Sequence, residues 1–562
     1  MKSIREQSIK IYRYLSRAYF AGVLRIFRNI DFLKYRKKML ACLQQNKTAP
    51  DPRAKGLLIA SGRGMNIVWA QIWTFLAMCA KNELPRIYVI TTAKRQFIHK
   101  YFKLLGAELI RFDVLIDRFD GAIPQDLLKE ISCIKNSSDC RRIYFASVPI
   151  GDIALATFCR QRGIGKIHHL DSEERLEIQT WMLDIYKSYQ VTMELINNSE
   201  ISHSFHTEVF LEEYGGIFFG CLEKNVKVLR FAGTVRDDAF IIQKLSKESA
   251  RRHHASLNSA KWLELSNAPL TEDMATWIST NFKDRYSDKW FRSKRNYPGI
   301  QIEDKNLVLD ALCIRKVKPI AVVFSHILYD SIYFYGTDLY PDYETWLIET
   351  LRQAIENPNV QWIIKLHPSN VWRGEVESLL KGQTLEEQII SSNFPELPSH
   401  VQIIKSDSKI STYALMQIAN YGVTVRGTAG LEMATLGKQV VTAGTGRYEN
   451  CGFTIDPKSV EEYEEVLSNL HQIGDLGDVK QLLARKYAYG IFALKAFKMS
   501  SLKPFLAFGR RSMVSSDDVC YLPSETLNPS SCSDIANFLE FLTDERTDLY
   551  SPDPVKEGSS RQ

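Results

Sequence analysis

Apolar positions along this chain change rhythm twice. Over residues 1–40 they fall at helical intervals, with Ile4, Ile9, Ile11, Tyr14, Leu15, Phe20, Leu24 and Phe27 set among Lys10, Arg13, Arg17, Arg25 and Arg28. This spacing predicts a basic amphipathic helical segment, bounded at residues 1–54. From Lys55 onward short apolar runs take over, at 56–60, 86–91, 108–112, 142–148 and 166–170. Each has the length of a buried strand, and intervening stretches such as 67–81 and 152–162 have helical spacing. The alternation predicts a parallel sheet with helices on both faces. Residues 55–314 form the first Rossmann-like lobe in this scheme, with a second half, 175–298, that reads as mostly helical.

A second series follows the basic stretch Arg315-Lys316-Val317-Lys318-Pro319, with strands expected at 320–325, 360–366, 401–405, 422–426 and 439–443. Its helices are expected to start after Asp342, Ser408 and Thr428, side chains suited to accept hydrogen bonds from a first helical turn. Residues 315–478 therefore form a second Rossmann-like lobe. Residues 479–550 read as a helical segment packing back on the first lobe, and the polar 551–562 as a disordered tail. The fold class predicted is α/β, with two doubly wound lobes.

Length agrees with two lobes, since 562 residues exceed what one core usually supports. Charge narrows the partners. The chain carries a net +7, yet residues 1–40 alone hold eleven Lys or Arg against Glu6 and Asp31, so the remainder is slightly acidic. A nucleic-acid partner, which would want a basic surface over the fold, is not indicated. The terminal basic segment either lies on an anionic membrane surface or packs on the body of the protein with a solvated basic face. Ten cysteines without paired spacing, on a chain with no signal-peptide pattern, predict reduced thiols and a cytoplasmic protein, with the inner face of the cytoplasmic membrane as a peripheral location. No apolar run reaches the roughly 18 residues of a membrane span.

Candidate chemistry gathers at the strand ends of the second lobe, where open α/β sheets bind ligands. Arg426-Gly427-Thr428-Ala429-Gly430-Leu431-Glu432 follows a strand and opens a helix. Its free amides and helix dipole suit a phosphate, and Thr428 can add a hydroxyl; a tight turn with Thr428 as an ordinary cap is the other explanation. Lys365, His367 and Pro368 end a neighbouring strand, offering a fixed charge and a group able to donate to a phosphate oxygen. Ser411 and Thr412 follow a third strand and either complete the cradle or cap a helix.

In the first lobe, Ser61-Gly62-Arg63-Gly64 is a glycine turn from which Arg63 could reach a sugar or phosphate. Asp171, Glu173 and Glu174 are the carboxylates best placed for a general base, although a helix start explains them equally well. His168, His169, His203 and His206 lack a completing ligand set, so no metal is expected, and there is neither an Asp-x-Asp nor a Walker A sequence. No cofactor is expected apart from a substrate phosphate neutralised by helix ends and side chains.

Taken in order, Val323-Phe324-Ser325-His326, Tyr343-Glu344-Thr345-Trp346-Leu347, Lys365-Leu366-His367-Pro368, Ser411-Thr412-Tyr413, the Arg426 to Glu432 stretch and Gly446-Arg447-Tyr448 resemble bacterial capsule and surface-polysaccharide biosynthesis proteins over residues 317–470. The resemblance implies a GT-B-like fold and a transferase related to those that take Kdo from CMP-Kdo, with His367-Pro368 serving the nucleotide phosphate. An acidic sugar would want a cation such as Arg426 or Arg447. The expected function is a glycosyltransferase moving a sugar from a nucleotide-activated donor, CMP-linked ahead of UDP-linked, to a glycan or lipid-linked acceptor. A sugar-nucleotide epimerase and a non-catalytic nucleotide-sugar or polysaccharide-binding component are the alternatives.

Overall fold

The computed structural model describes residues 32–41, 55–60, 65–79, 86–91, 96–167, 169–234, 239–285, 302–315, 317–368, 370, 383–505, 520–523 and 529–551. Arg63, residues 1–31 and the tail beyond Ser551 lie outside the described residues.

The first lobe runs β1 (Gly56–Ala60), α1 (Met65–Cys79), β2 (Arg86–Thr91), β3 (Glu108–Arg111), α2 (Ile150–Arg162), α3 (Ser172–Ser199), β4 (Ile201–His206), α4 (Glu212–Glu223), β5 (Lys227–Gly233) and β6 (Phe240–Leu245). Its six strands lie in the order β3-β2-β1-β4-β5-β6. Every neighbouring pair is parallel except the antiparallel β5 and β6. Two expected strands are absent among the described residues. Residues 142–148 form a tight reversal in which the amides and carbonyls of Phe145 and Val148 exchange hydrogen bonds, with Ala146 at φ 51. The described residues of 166–170, which leave out His168, lie in a short connection from Gly163, the left-handed end of α2, to Asp171, the cap of α3. Ile167 and Leu170 bury their side chains there without strand pairing. The strands that do complete the sheet lie in the part expected to be helical. Polar Ile201-Ser202-His203-Ser204-Phe205-His206 conceals β4, in which the enclosed His206 Nε2 and Ser204 hydroxyl share a hydrogen bond at 3.0 Å.

The second lobe contains β7 (Ile320–Phe324), α5 (Tyr343–Glu356), β8 (Gln361–Lys365), β9 (Val401–Ile404), α6 (Thr412–Ile418), β10 (Tyr421–Thr424), α7 (Thr428–Thr435) and β11 (Gln439–Thr442). Its strands order β11-β10-β7-β8-β9 and all pair in parallel. This is the doubly wound arrangement, with the strand order reversing between β7 and β10. The helix starts follow local chemistry. Asp342 caps α5 by accepting from Thr345 N, and Ser411, not Ser408, caps α6. Gly427 caps α7, so Thr428 is the first helical residue and not the cap expected from sequence.

The lobes meet over a shared apolar core. The loop after β7 brings Phe334 face to face with Phe210 of the first lobe, centroids 5.2 Å apart, and Asp330 pairs with Arg160 of α2. Leu257, Leu265, Ile278 and Val308 already pack in the core of the second sheet, so the chain passes between lobes well before β7. After α8 (Asp478–Tyr489), which packs on α7, the chain returns to the first lobe. Phe497 pairs with Phe240 of β6, and α9 (Ser533–Thr543) lays Phe538 against Trp73 of α1 at 5.3 Å. Of the basic N-terminal segment, the helix at 32–41 buries Tyr35 and Met39 in this core and exposes Arg36, Lys37 and Lys38. No helix among the described residues is long and apolar enough to cross a membrane.

Candidate functional site

A cavity of ≈ 320 Å³ opens at the carboxyl edge of the second sheet, where the strand order reverses. Strand β7 delivers Ser325 and His326 to its wall, β8 delivers Lys365, His367 and Pro368, and β10 delivers Thr424, Arg426 and Gly427. The first turn of α7 adds Thr428 and Ala429, with Glu432 one turn on, while Thr412 enters from α6 and Arg447 from the loop after β11. His253 reaches in from the segment after β6.

The α7 entrance depends on absent side chains. A Cβ on Gly427 would come 2.8 Å from Thr424 Oγ1, the oxygen that accepts the Gly427 amide at 3.1 Å. A Cβ on Gly430 would come 2.3 Å from the Tyr448 hydroxyl, which passes beneath the turn to donate to the Gly427 carbonyl at 2.7 Å. Gly430 and Tyr448 thus shape the turn and do not line the cavity. Arg447 donates from Nη1 to the Arg426 carbonyl at 3.2 Å and from Nη2 to Thr428 Oγ1 at 2.6 Å.

The cations are held in different ways. Arg426 is buried, its two terminal nitrogens bonded to the Tyr335 carbonyl and the Asp338 carboxylate. Burial lowers its pKa to about 10, which leaves it charged near neutrality. Lys365 is 4% exposed and donates to the Lys405 carbonyl at 3.1 Å. Desolvation lowers its pKa to about 8, against a smaller opposing effect of Asp407. His326 is pushed down to about 3 by burial and then by His367, Arg426 and Arg447. Its Nε2 accepts the Val425 amide at 3.2 Å, which assigns the proton of the neutral ring to Nδ1. His253 is likewise held neutral by burial and by His254, Arg447, Arg230 and Arg426. Burial is the main cause for both histidines, and the neighbouring arginines act in the same direction. Ser325, 4% exposed, has no partner for its hydroxyl among the described residues and lines the cavity.

Several expected site residues stand elsewhere. Asp171 Oδ1 accepts the amides of Glu173 and Glu174, both at 2.8 Å, and Glu174 returns a bond to the Asp171 amide, so the pair is a capping box for α3. Glu173 has an 84% exposed side chain at 3.9 Å from Arg162. Neither Asp171 nor Glu173 lines the cavity, which corrects their assignment as its bases. Ser411 accepts the Ala414 amide with its hydroxyl at 3.5 Å, is buried and does not line the cavity. Conversely, Ser325, His326, His253, Asp330 and Tyr335 line the cavity without having been singled out as site residues. Ser325 and His326 could have been found by the strand-end rule that located Lys365 and His367. His253 carries no local signal, because long-range folding alone brings it there.

Strand order and cavity define a two-lobed α/β protein of the GT-B type, with a cation-lined site at the switch point of its second sheet. No family model matches the chain, and no curated protein matches it. Among solved structures it is similar to KpsC of Thermosulfurimonas dismutans, described as a beta Kdo 2,4 transferase, at 14% identity over 52% of this chain and 80% of that one, with a TM-score of 0.32. It is similar to the UDP-GlcNAc 2-epimerase of Neisseria meningitidis, solved with UDP-GlcNAc bound, at 10% identity over 78% and 96% of the two chains, TM-score 0.30. MurG of Acinetobacter baumannii gives 11% identity over 77% and 95%, TM-score 0.29. Superpositions this loose carry no weight for chemistry, and the fold class rests on strand order and register.

Proposed function

We propose that the protein is a glycosyltransferase of surface-polysaccharide assembly, with the phosphate of a nucleotide-activated sugar seated in the second-lobe cavity. The observation that carries this reading is the convergence of Lys365, Arg447, Thr428 and the first turn of α7 on one cavity, with the Ser325 hydroxyl still lacking a partner among the described residues. In the reaction proposed, the bond between the anomeric carbon and the phosphate oxygen breaks with its electrons going to phosphate. Lys365, Arg447 and the helix end stabilise that charge, and His367 donates to a phosphate oxygen. An acceptor hydroxyl forms the new bond to carbon. Its proton passes to Asp330, the more accessible of the two carboxylates in the cavity wall, held by Arg160 across the lobes.

A single phosphate suits a cavity near the small end of the range for ligand sites, about 300 to 1,000 Å³. This favours a CMP-linked acidic sugar of the Kdo type over a UDP-sugar, with Arg447 beside the sugar carboxylate. Calorimetry with CMP, CDP, UMP and UDP tests the donor class, and a clear preference for UDP over CMP would reverse it. Product analysis with a panel of nucleotide sugars tests the reaction: transfer to a glycan supports the proposal, an isomerised donor would make the protein an epimerase, and no turnover would leave a binding component. The acceptor is a glycan or lipid-linked glycan, and residues 1–40 bring the enzyme to the cytoplasmic face of an anionic membrane.

A further inference from the structure

A second, larger cavity of ≈ 1280 Å³ lies between the lobes and shares Arg447 with the first. Its first-lobe wall carries two adjacent arginine pairs, Arg141-Arg142 and Arg251-Arg252. Their charges are only partly met. Asp152, 3% exposed, accepts from both Arg141 Nε at 3.0 Å and Arg251 Nη2 at 2.8 Å, so one carboxylate serves two guanidinium groups. Arg252 pairs with Asp548 at 2.9 Å. Arg142 is exposed and makes no ion pair among the described residues. The other carboxylates of the wall are engaged, Asp338 by Arg426 and Glu449 by the Arg447 amide at 2.8 Å. Tyr144, 46% exposed, and Trp262 also line the cavity, as does the buried Tyr340, whose hydroxyl donates to Glu464 at 3.4 Å.

The geometry points to this cavity as the site of an acidic oligosaccharide, an acceptor bearing carboxylates along its length, whose terminal hydroxyl enters the phosphate cavity past Arg447. The proposal rests on the transferase reading and adds the chemical class of the acceptor. Three features converge on it. The volume exceeds what a single sugar ring fills, so several units are accommodated. Guanidinium groups match carboxylates with paired hydrogen bonds, and an uncompensated arginine at the mouth attracts an anion before it docks. The Tyr144 and Trp262 rings in the same lining add apolar surface of the kind on which sugar rings pack.

The test is binding without turnover, by calorimetry of the full chain with tetragalacturonate as the acidic probe and maltotetraose as the neutral one. Tetragalacturonate is expected to bind at least ten-fold more tightly, with an affinity that falls as salt rises. Arg142→Glu is expected to weaken it ten-fold or more, Arg142→Lys much less, and CMP affinity is expected to be unchanged in both. Because Arg142 is exposed, these variants should keep the wild-type melting temperature. Equal affinity for the two saccharides, binding of neither, or an unaltered affinity in Arg142→Glu would overturn the assignment. Sugar-free phosphatidylglycerol vesicles form a further arm, and vesicle capture lost in Arg142→Glu would give the arginines to a lipid headgroup and overturn it too. Since CMP is titrated separately, failure of the nucleotide site with retained tetragalacturonate binding would sink the transferase reading while leaving the acidic-glycan site standing.

Discussion

Thr428 Oγ1 accepts a hydrogen bond from Arg447 Nη2 at 2.6 Å, so a cation already orients the hydroxyl at the entrance of α7. With one lone pair engaged, the hydroxyl keeps its proton free to donate to an anion, and the arginine stands beside any anion that takes it. Thr428→Val should therefore weaken CMP binding by about 1.5 to 3 kcal/mol, the cost of a charge-assisted bond. The fold should be unaffected, because Gly427 caps this helix. His367→Ala should act in the same direction on turnover. Calorimetry and thermal melting of the two variants check both parts, and wild-type activity and affinity would remove them from the site.

Phosphate affinity should fall as pH rises through about 8, where buried Lys365 loses its charge. A bound phosphate favours the charged form, so binding near that pH should take up a proton, measurable by calorimetry in buffers of differing ionisation enthalpy. Lys365→Met should abolish both effects. The stability consequence has the opposite sense: the unfolded lysine keeps its proton up to about 10.4, so Lys365 contributes increasing stability between about pH 8 and that value. A pH-independent affinity in the wild type would refute the assignment.

Gly430→Ala should disable the phosphate site through Tyr448, whose hydroxyl would lie 2.3 Å from the new methyl group. Removing that hydroxyl relieves the clash, so the double variant Gly430→Ala with Tyr448→Phe should bind CMP better than Gly430→Ala alone. A double-mutant cycle reads the coupling, expected at about 1 to 3 kcal/mol. Strict additivity would show that the turn adapts by another route.

Asp548 is wholly enclosed, with Lys495 at 2.9 Å and Arg252 also at 2.9 Å. Burial raises the Asp548 pKa, but these two cations outweigh it and hold the carboxyl below its usual range. Asp548→Ala would strand a buried lysine and should cost about 3 to 5 kcal/mol in urea unfolding. A loss under about 1 kcal/mol would mean that Lys495 escapes to water.

Deleting residues 2–31 should reduce flotation of the protein with anionic vesicles, and the difference should vanish at high salt. The cut stops short of the helix at 32–41, because Tyr35 and Met39 belong to the first-lobe core. Equal flotation of both forms would exclude the segment as the anchor.

The second lobe was legible almost strand by strand, because each of its strands is a short, mostly apolar run followed by turn or capping residues. The cavity was partly legible for the same reason: Lys365, His367, Arg426 and Thr428 sit at strand ends, and strand ends of a parallel sheet converge. The first lobe misled where burial and secondary structure part company. Ile167 and Leu170 are apolar because they plug a core, while His206 sits in an interior strand because Ser204 bonds to it. Asp171 looked catalytic for the reason it caps, since an acidic residue before a helix serves either purpose. Arg141 and Arg251 could not be joined by sequence, as their proximity comes from long-range folding within the first lobe that brings both to Asp152.

The contact between Trp73 and Phe538 bears on how the protein is made. The apolar face of α1 belongs to the opening α/β unit, yet the helix that covers it emerges from the ribosome more than 400 residues later. Domains usually complete themselves in order of synthesis. Here the earlier lobe must wait, with tryptophan exposed, until the later one has been translated. Nascent chains of this protein should therefore engage chaperones for longer than their length suggests, and trimming residues from 533 onward should injure the lobe that was synthesised first.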